Sequence, residues 1–251
     1  MKLKKDNGEL FSQTYLKTIH NQLSAILNHA VNMYGLKDNV ARKAGTMGKE
    51  ENKEMEFWTQ EEFQSFLECV ADKPISYYAF EMLYWTGIRE GELLALTPAD
   101  FKFEKKTLRI NKSYQRLEGK DVITDPKTPK SNRSIVMPDF LAVEMEDFIS
   151  SLYGIRDDNR IFTISKSYLH HEMDRGAKLA GVKRIRIHGL RHSHISLLIN
   201  LGFSALAIGE RVGHEAVDIT YHYAHLFPTV QTDMAAQLET EREALVNVRK
   251  E

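Results

Sequence analysis

Residues 107–137, TLRINKSYQRLEGKDVITDPKTPKSNRSIVM, are where the chain changes its hydrophobic period. β-rich runs at Thr107–Tyr114, Val122–Thr124 and Ser134–Met137 are separated by turn-like segments at Leu117–Lys120 and Thr128–Asn132. That spacing predicts a three-stranded antiparallel meander. On both sides of it the pattern is helical. Upstream, Tyr15, Ile19, Leu23, Ile26, Leu27, Ala30 and Tyr34 recur at three- and four-residue steps, with Ser12 as a cap and Gly35 as an end. One helix cannot bury such a stripe alone, so this segment reads as part of a larger helical domain. Residues 36–57 are polar and Lys/Glu-rich, as in a linker. Thr59-Gln60-Glu61-Glu62 is a capping box opening a second helix, and a third runs from Ser76 to Thr86, stopping at Gly87. Downstream, helical patterns cover about 139–152, 166–180, 189–201, 204–212, 219–225 and 229–248, punctuated by Gly181, Gly202 and Gly213. The predicted class is α+β, mostly helical with a small three-stranded antiparallel sheet.

Composition narrows the function classes. Hydrophobic residues are 42% and charged residues 27% of the 251 positions, the mix of an ordinary globular protein and not of a disordered or fibrous one. No apolar run approaches the roughly 18–20 residues of a bilayer span, and the charged start lacks the apolar core of a secretory signal. A lone cysteine, Cys69, offers neither an internal disulfide nor a Cys-rich zinc site, which suits a reducing cytoplasm. The formal net charge of −1 does not point to nucleic acid. The charge is unevenly placed: Glu50, Glu51, Glu54, Glu56, Glu61 and Glu62 are offset by basic clusters at Lys102–Arg116, at Lys127, Lys130 and Arg133, and at Lys183, Arg184, Arg186 and Arg191. Each singly is a solvated face, but together they are of interest for nucleic acid if folding brings them onto one surface. A phosphate backbone responds to local potential, not to the average.

Three short motifs could carry chemistry. His188 and Arg191 in HGLR lie one turn apart at a helix start, and Arg89 and Glu92 in TGIREGEL repeat that spacing. Glu92 could fix the direction of the Arg89 guanidinium. Val212-Gly213-His214 is followed nine residues later by Tyr223, and these converge only if the chain turns between them. Tyr221 competes with Tyr223. The histidine spacings match no strong zinc pattern, HExxH is absent, and no phosphate-binding P-loop, GxSxG elbow or dinucleotide fingerprint occurs.

Taken in order, the motifs resemble the tyrosine recombinase (phage integrase) family, and most of all the integrases of temperate phages and conjugative transposons. The family pattern of an arginine box, a hairpin lysine, HxxR, GH and a tyrosine falls on Arg89, Lys127, His188, Arg191, His214 and Tyr223. The resemblance implies a catalytic domain over 58–227, preceded by a C-terminal remnant of a helical DNA-clamp domain (1–50) and a linker (51–57). It also implies a C-terminal helix (228–251) that either folds back or exchanges between protomers, and an N-terminally truncated chain. The implied reaction is site-specific cleavage and rejoining of DNA through a 3′-phosphotyrosine, for integration or excision of a mobile element. Tyr223 would be the nucleophile, Arg89 and Arg191 the phosphate clamp, and His188 the base. Lys127 would protonate the leaving oxygen, with Lys130 the alternative, and His214 would bond the phosphate or position the tyrosine. Lys130, Arg133, Lys183, Arg184 and Arg186 would contact DNA. No metal, ATP or other cofactor is implied. The expected partners are double-stranded DNA, further protomers in a tetramer and a directionality factor, in the cytoplasm of a bacterium. The rival readings are a catalytically silent DNA-binding fragment and a type IB topoisomerase-like relaxing enzyme.

Overall fold

A computed structural model describes residues 8–49, 55–126 and 131–213, together with Tyr223, residues 238–240 and Arg242. The chain divides into two units, Met1–Glu54 and Met55–Glu251. In the first, α1 (Gln13–Tyr34) starts where the Ser12 hydroxyl accepts the Tyr15 amide and stops at Gly35 in the left-handed conformation. A short helix α2 (Val40–Ala44) lies inside the segment expected to be linker. Its signal was Asn39, whose side chain caps Ala41 and Arg42 and whose amide also donates to the Ser24 carbonyl and to Asn28.

In the second unit the helices are α3 (Gln60–Val70), α4 (Pro74–Thr86), α5 (Glu90–Leu93), α6 (Asp139–Ser151), α7 (Lys166–Ala180), α8 (Ile187–Asn200) and α9 (Ala205–Val212). The Thr59 capping box is formed, with both reciprocal bonds present. Helix α3 buries Phe63, Phe66, Leu67 and Val70, and the Phe63 ring stacks on Tyr84 of α4 at 3.8 Å between centroids. Trp58 ties the unit's start to α8, since its backbone amide donates to the Ser193 hydroxyl at 2.9 Å. Helix α8 is buried on nearly all sides, from Ile187 and Leu190 through Ile195 to Ile199. A helix with that surround belongs at the centre of a core, and its polar residues there need partners supplied by its neighbours.

The β-region departs from the expected meander. Strands β1 (Phe101–Lys102), β2 (Thr107–Ile110) and β5 (Arg133–Val136) form one antiparallel sheet in the order β1-β2-β5, with Leu108 opposite Ile135. Strands β3 (Ser113–Leu117) and β4 (Lys120–Thr124) form a separate hairpin. The run 107–114 therefore breaks at Asn111–Lys112 instead of continuing as one strand. There Lys112 turns to the Asp100 carboxylate and the Thr97 hydroxyl, ending the alternation of β2. The hairpin is an insertion between two paired strands. Its base is held by Tyr114, which donates to Asp121 at 2.8 Å, and by the Arg160 guanidinium 4.2 Å over the Tyr114 ring. Among the described residues no helix is long and apolar enough to cross a membrane.

Candidate active site

Two helix ends and one strand set the site. Helix α4 ends at Thr86, and Gly87 follows at a φ of +65°. A Cβ there would lie 2.6 Å from His194 Cδ2, so only glycine lets the turn pack this closely on α8. Arg89 then caps α5, its backbone amide donating to Glu92 Oε2 at 2.9 Å and its guanidinium to Oε1 at 2.8 Å. Helix α9 ends at Gly213, also left-handed.

The last turn of α9 presents three successive carbonyls, each accepting from a different arginine. Arg133 Nε donates to the Arg211 carbonyl at 2.9 Å, Arg191 Nη2 to that of Val212, and Arg89 Nη2 to that of Gly213 at 3.4 Å. Carbonyls at a helix C-terminus lack intrahelical donors and carry the negative end of the dipole, so cations are at home there. Arg191 also donates to the Gly87 carbonyl at 2.6 Å, which places one guanidinium between the ends of α4 and α9.

Charge is unbalanced around these groups. Glu92 bonds both Arg89 and Arg133, whose Nη2 lies 2.9 Å from Oε2. Burial works against the charged carboxyl, but the Arg133 hydrogen bonds and charge, followed by those of Arg89, hold Glu92 below the usual carboxylate range. Arg191 is 1% exposed and, among the described residues, its Nε has no partner. Burial and then the charges of Arg89 and Arg133 lower it, against the opposing pull of Glu92 and Tyr223. Among the described residues, three guanidiniums thus share one carboxylate. The arrangement is suited to an oxyanion bearing one or two charges.

Tyr223 is 2% exposed and packs against Ile195, Ile199, Ile208 and Val212. Burial raises its phenol above the ordinary tyrosine value, while Arg191 lowers it. Its hydroxyl is hydrogen-bonded to His192 Nδ1. The His188 ring, at the head of α8, meets the His192 ring edge-on at 5.0 Å. Desolvation, then Arg191 and Arg89, pushes the His188 imidazole below the usual histidine range.

A model described as the phage integrase family matches residues 56–229, well over half of the chain. The chain belongs to the phage integrase family. It is similar to the ICEBs1 integrase of Bacillus subtilis (strain 168), at 32% identity over 91% of this chain and 66% of that protein. It is also similar to a XerC-like tyrosine recombinase of Caldanaerobacter subterraneus subsp. tengcongensis, at 26% identity over 90% and 66%. It therefore spans just under two thirds of the length of these relatives. Among solved structures, its fold matches the Tn1549 transposon integrase in complex with a circular intermediate DNA, with a TM-score of 0.75, 20% identity, and coverage of 90% of this chain and 80% of that one.

Of the residues expected in the site of this phage integrase family member, the fold brings Arg89, Glu92, His188, Arg191 and Tyr223 into one neighbourhood. Lys127, Lys130, His214 and the competing Tyr221 lie outside the described residues, as does most of the expected helices over 219–225 and 229–248. Two of the expected residues make contacts other than the expected ones. Arg133, expected to contact DNA, is turned inward with its side chain 6% exposed, where Glu92, the Arg211 carbonyl at the end of α9 and the Ser131 carbonyl accept from its three nitrogens. His188, expected as the base for Tyr223, makes no hydrogen bond to it among the described residues; His192 does. Lys183 pairs with Glu56 at 2.8 Å and Arg184 with Asp174 at 2.7 Å, while Arg186 is exposed at the start of α8. His192 directly follows Arg191 in the sequence, but nothing in its spacing marked it out among the chain's ten histidines.

Proposed function

We propose that this chain is a site-specific DNA recombinase that cleaves and rejoins strands through a covalent 3′-phosphotyrosine, integrating or excising a mobile element. The observation that carries the reading is the buried Arg191 fork, bonded to the Gly87 and Val212 carbonyls beside Arg89, where Glu92 is the one carboxylate among the described residues and Tyr223 is close enough to feel its charge. A phosphodiester brings the missing negative charge, and in-line attack adds more on its nonbridging oxygens. Two planar guanidiniums held by helix-end carbonyls can meet both oxygens without rearranging at the moment of reaction. The solved relative bound to DNA supports the choice of substrate class.

In this reading Arg89 and Arg191 clamp the scissile phosphate, Glu92 and Arg133 aim Arg89, and His188 hydrogen-bonds a phosphate oxygen. Tyr223 attacks phosphorus, Lys127 protonates the departing 5′-oxygen, with Lys130 the alternative, and His214 steadies the phosphate. Lys183, Arg184 and Arg186 lie along the approach of the duplex. Protein-linked phosphate preserves the bond energy, so a second 5′-hydroxyl rejoins strands without ATP. Working assemblies are tetramers on double-stranded DNA in the bacterial cytoplasm, biased by a directionality factor.

The test is a panel of nicked half-site duplexes that trap cleavage. The expected result is a protein–DNA adduct that Tyr223→Phe abolishes while noncovalent binding is kept. An adduct that survives Tyr223→Phe and disappears with Tyr221→Phe overturns the nucleophile assignment, and no adduct on any half-site overturns the enzyme reading.

A further inference from the structure

The Tyr223 ring packs in a small apolar cluster built by Ile195 and Ile199 of α8 and Ile208 and Val212 of α9, and its hydroxyl meets His192. With the residue 2% exposed, a group already in contact is better placed than bulk water to take its proton. Among the described residues that group is Nδ1 of His192, half-buried and one turn beyond His188 on the same face of α8. A neutral imidazole with Nδ1 unprotonated is the tautomer that accepts this bond. His188, edge-on to His192 and nearer the open end of α8, is left to face the phosphate.

Resting on the reading of Tyr223 as nucleophile, we propose that His192 is the catalytic base that takes its proton. The Tyr223 hydroxyl proton passes to His192 Nδ1 as the phenolic oxygen forms its bond to phosphorus. The bond from phosphorus to the 5′-oxygen breaks, and that oxygen leaves with the electron pair and takes a proton from a general acid, an ammonium group or water. His192 remains an imidazolium in the covalent state. On rejoining, the incoming 5′-hydroxyl returns its proton to the general acid's conjugate base. The tyrosine oxygen leaves phosphorus and recovers its own proton from His192. One residue thus serves both directions, as microscopic reversibility requires.

Single-turnover adduct formation on the most reactive nicked half-site separates the roles. His192→Asn puts an amide oxygen where Nδ1 stood, so it keeps the hydrogen bond and the packing but accepts no proton. Both His192→Asn and His192→Ala are expected to lower the rate by about 100-fold or more with noncovalent DNA binding retained. Free imidazole is expected to restore His192→Ala by at least about tenfold and His192→Asn not at all. His192→Asn reacting within about threefold of the unmodified chain overturns the proposal and leaves His192 as a positioning residue. A DNA-free readout distinguishes this from failure of the enzyme reading. In ¹⁵N spectra of the full chain, His192 Nδ1 is expected to be the unprotonated nitrogen and to shift on Tyr223→Phe. A protonated Nδ1 that ignores that substitution overturns the proposal whether or not any half-site is cleaved.

Discussion

Arg133 and Glu92 form a buried two-bond pair, Nη1 to Oε1 at 3.2 Å and Nη2 to Oε2 at 2.9 Å, and each side chain is only 6% exposed. The same carboxylate holds Arg89. Strand β5 therefore sets the direction of a guanidinium that sits 44 positions earlier in the chain, at the start of α5. Losing Arg133 leaves Glu92 with a single, more exposed cation and frees the Arg211 carbonyl. Arg133→Ala is expected to destabilise the second unit by about 3–5 kcal/mol, the usual consequence of breaking a buried pair on one side. Denaturant melts measure this, and a loss below about 1 kcal/mol would mean that Glu92 is held well enough without β5.

Gly87 is the second structural point on which the site turns. A side chain there must adopt a left-handed backbone and also displace His194, which packs against it. Gly87→Ala is expected to cost about 2–4 kcal/mol, combining backbone strain with overpacking. Because the Gly87 carbonyl accepts from Arg191, the same substitution should reduce adduct formation more than stability alone predicts. A variant with lowered melting temperature but unchanged adduct yield at a temperature where it is fully folded would separate the turn from the clamp.

Most helices were legible in the sequence because their ends are written in local chemistry. Ser12, Thr59, Gly35, Gly87, Gly181 and Gly213 each cap or terminate a helix within a residue or two of the expected place. Helix α2 was hidden because five residues carry no period, and only its Asn39 cap spoke for it. The sheet was misread for a different reason. Alternation identifies strands but not partners, and β2 skips its neighbours β3 and β4 to pair with β5. In the site, Arg89, Glu92 and Arg191 were legible from motif spacing. Arg133 and His192 were not, since one turns inward and the other contacts Tyr223 only through a fold-level convergence of α8 with residues beyond α9.

Arg191 holds two carbonyls from two helices at once, a geometry that a fork can make and a single ammonium cannot. Arg191→Lys is expected to lower adduct formation by about 100-fold or more while changing noncovalent duplex binding by less than about fivefold at low salt. Gel-shift and adduct assays on the same half-site give both numbers. Equal losses in the two assays would assign Arg191 to general DNA attraction instead of to charge developing at phosphorus.

Glu81 provides a pH test away from the site. It is 5% exposed on α4, and burial, followed by the charge of Glu144 on α6, pushes its carboxyl up from 4.5 to about 7. Nearby Tyr77 and Tyr78 are raised by burial and by neighbouring carboxylates, so both stay neutral and add no negative charge of their own near neutrality. With the folded value above the ordinary one, the neutral acid is favoured by folding. That advantage is complete below about 4.5 and is lost as pH rises through about 7. Glu81→Gln keeps the shape and stays neutral, so it is expected to be more stable than the unmodified chain at pH 8 by on the order of 2 kcal/mol, and equal to it near pH 4. Paired thermal melts at the two pH values decide the matter. A difference that is the same at both would trace to packing or hydrogen bonding of the amide, because only a proton lost between them can make the gap grow with pH.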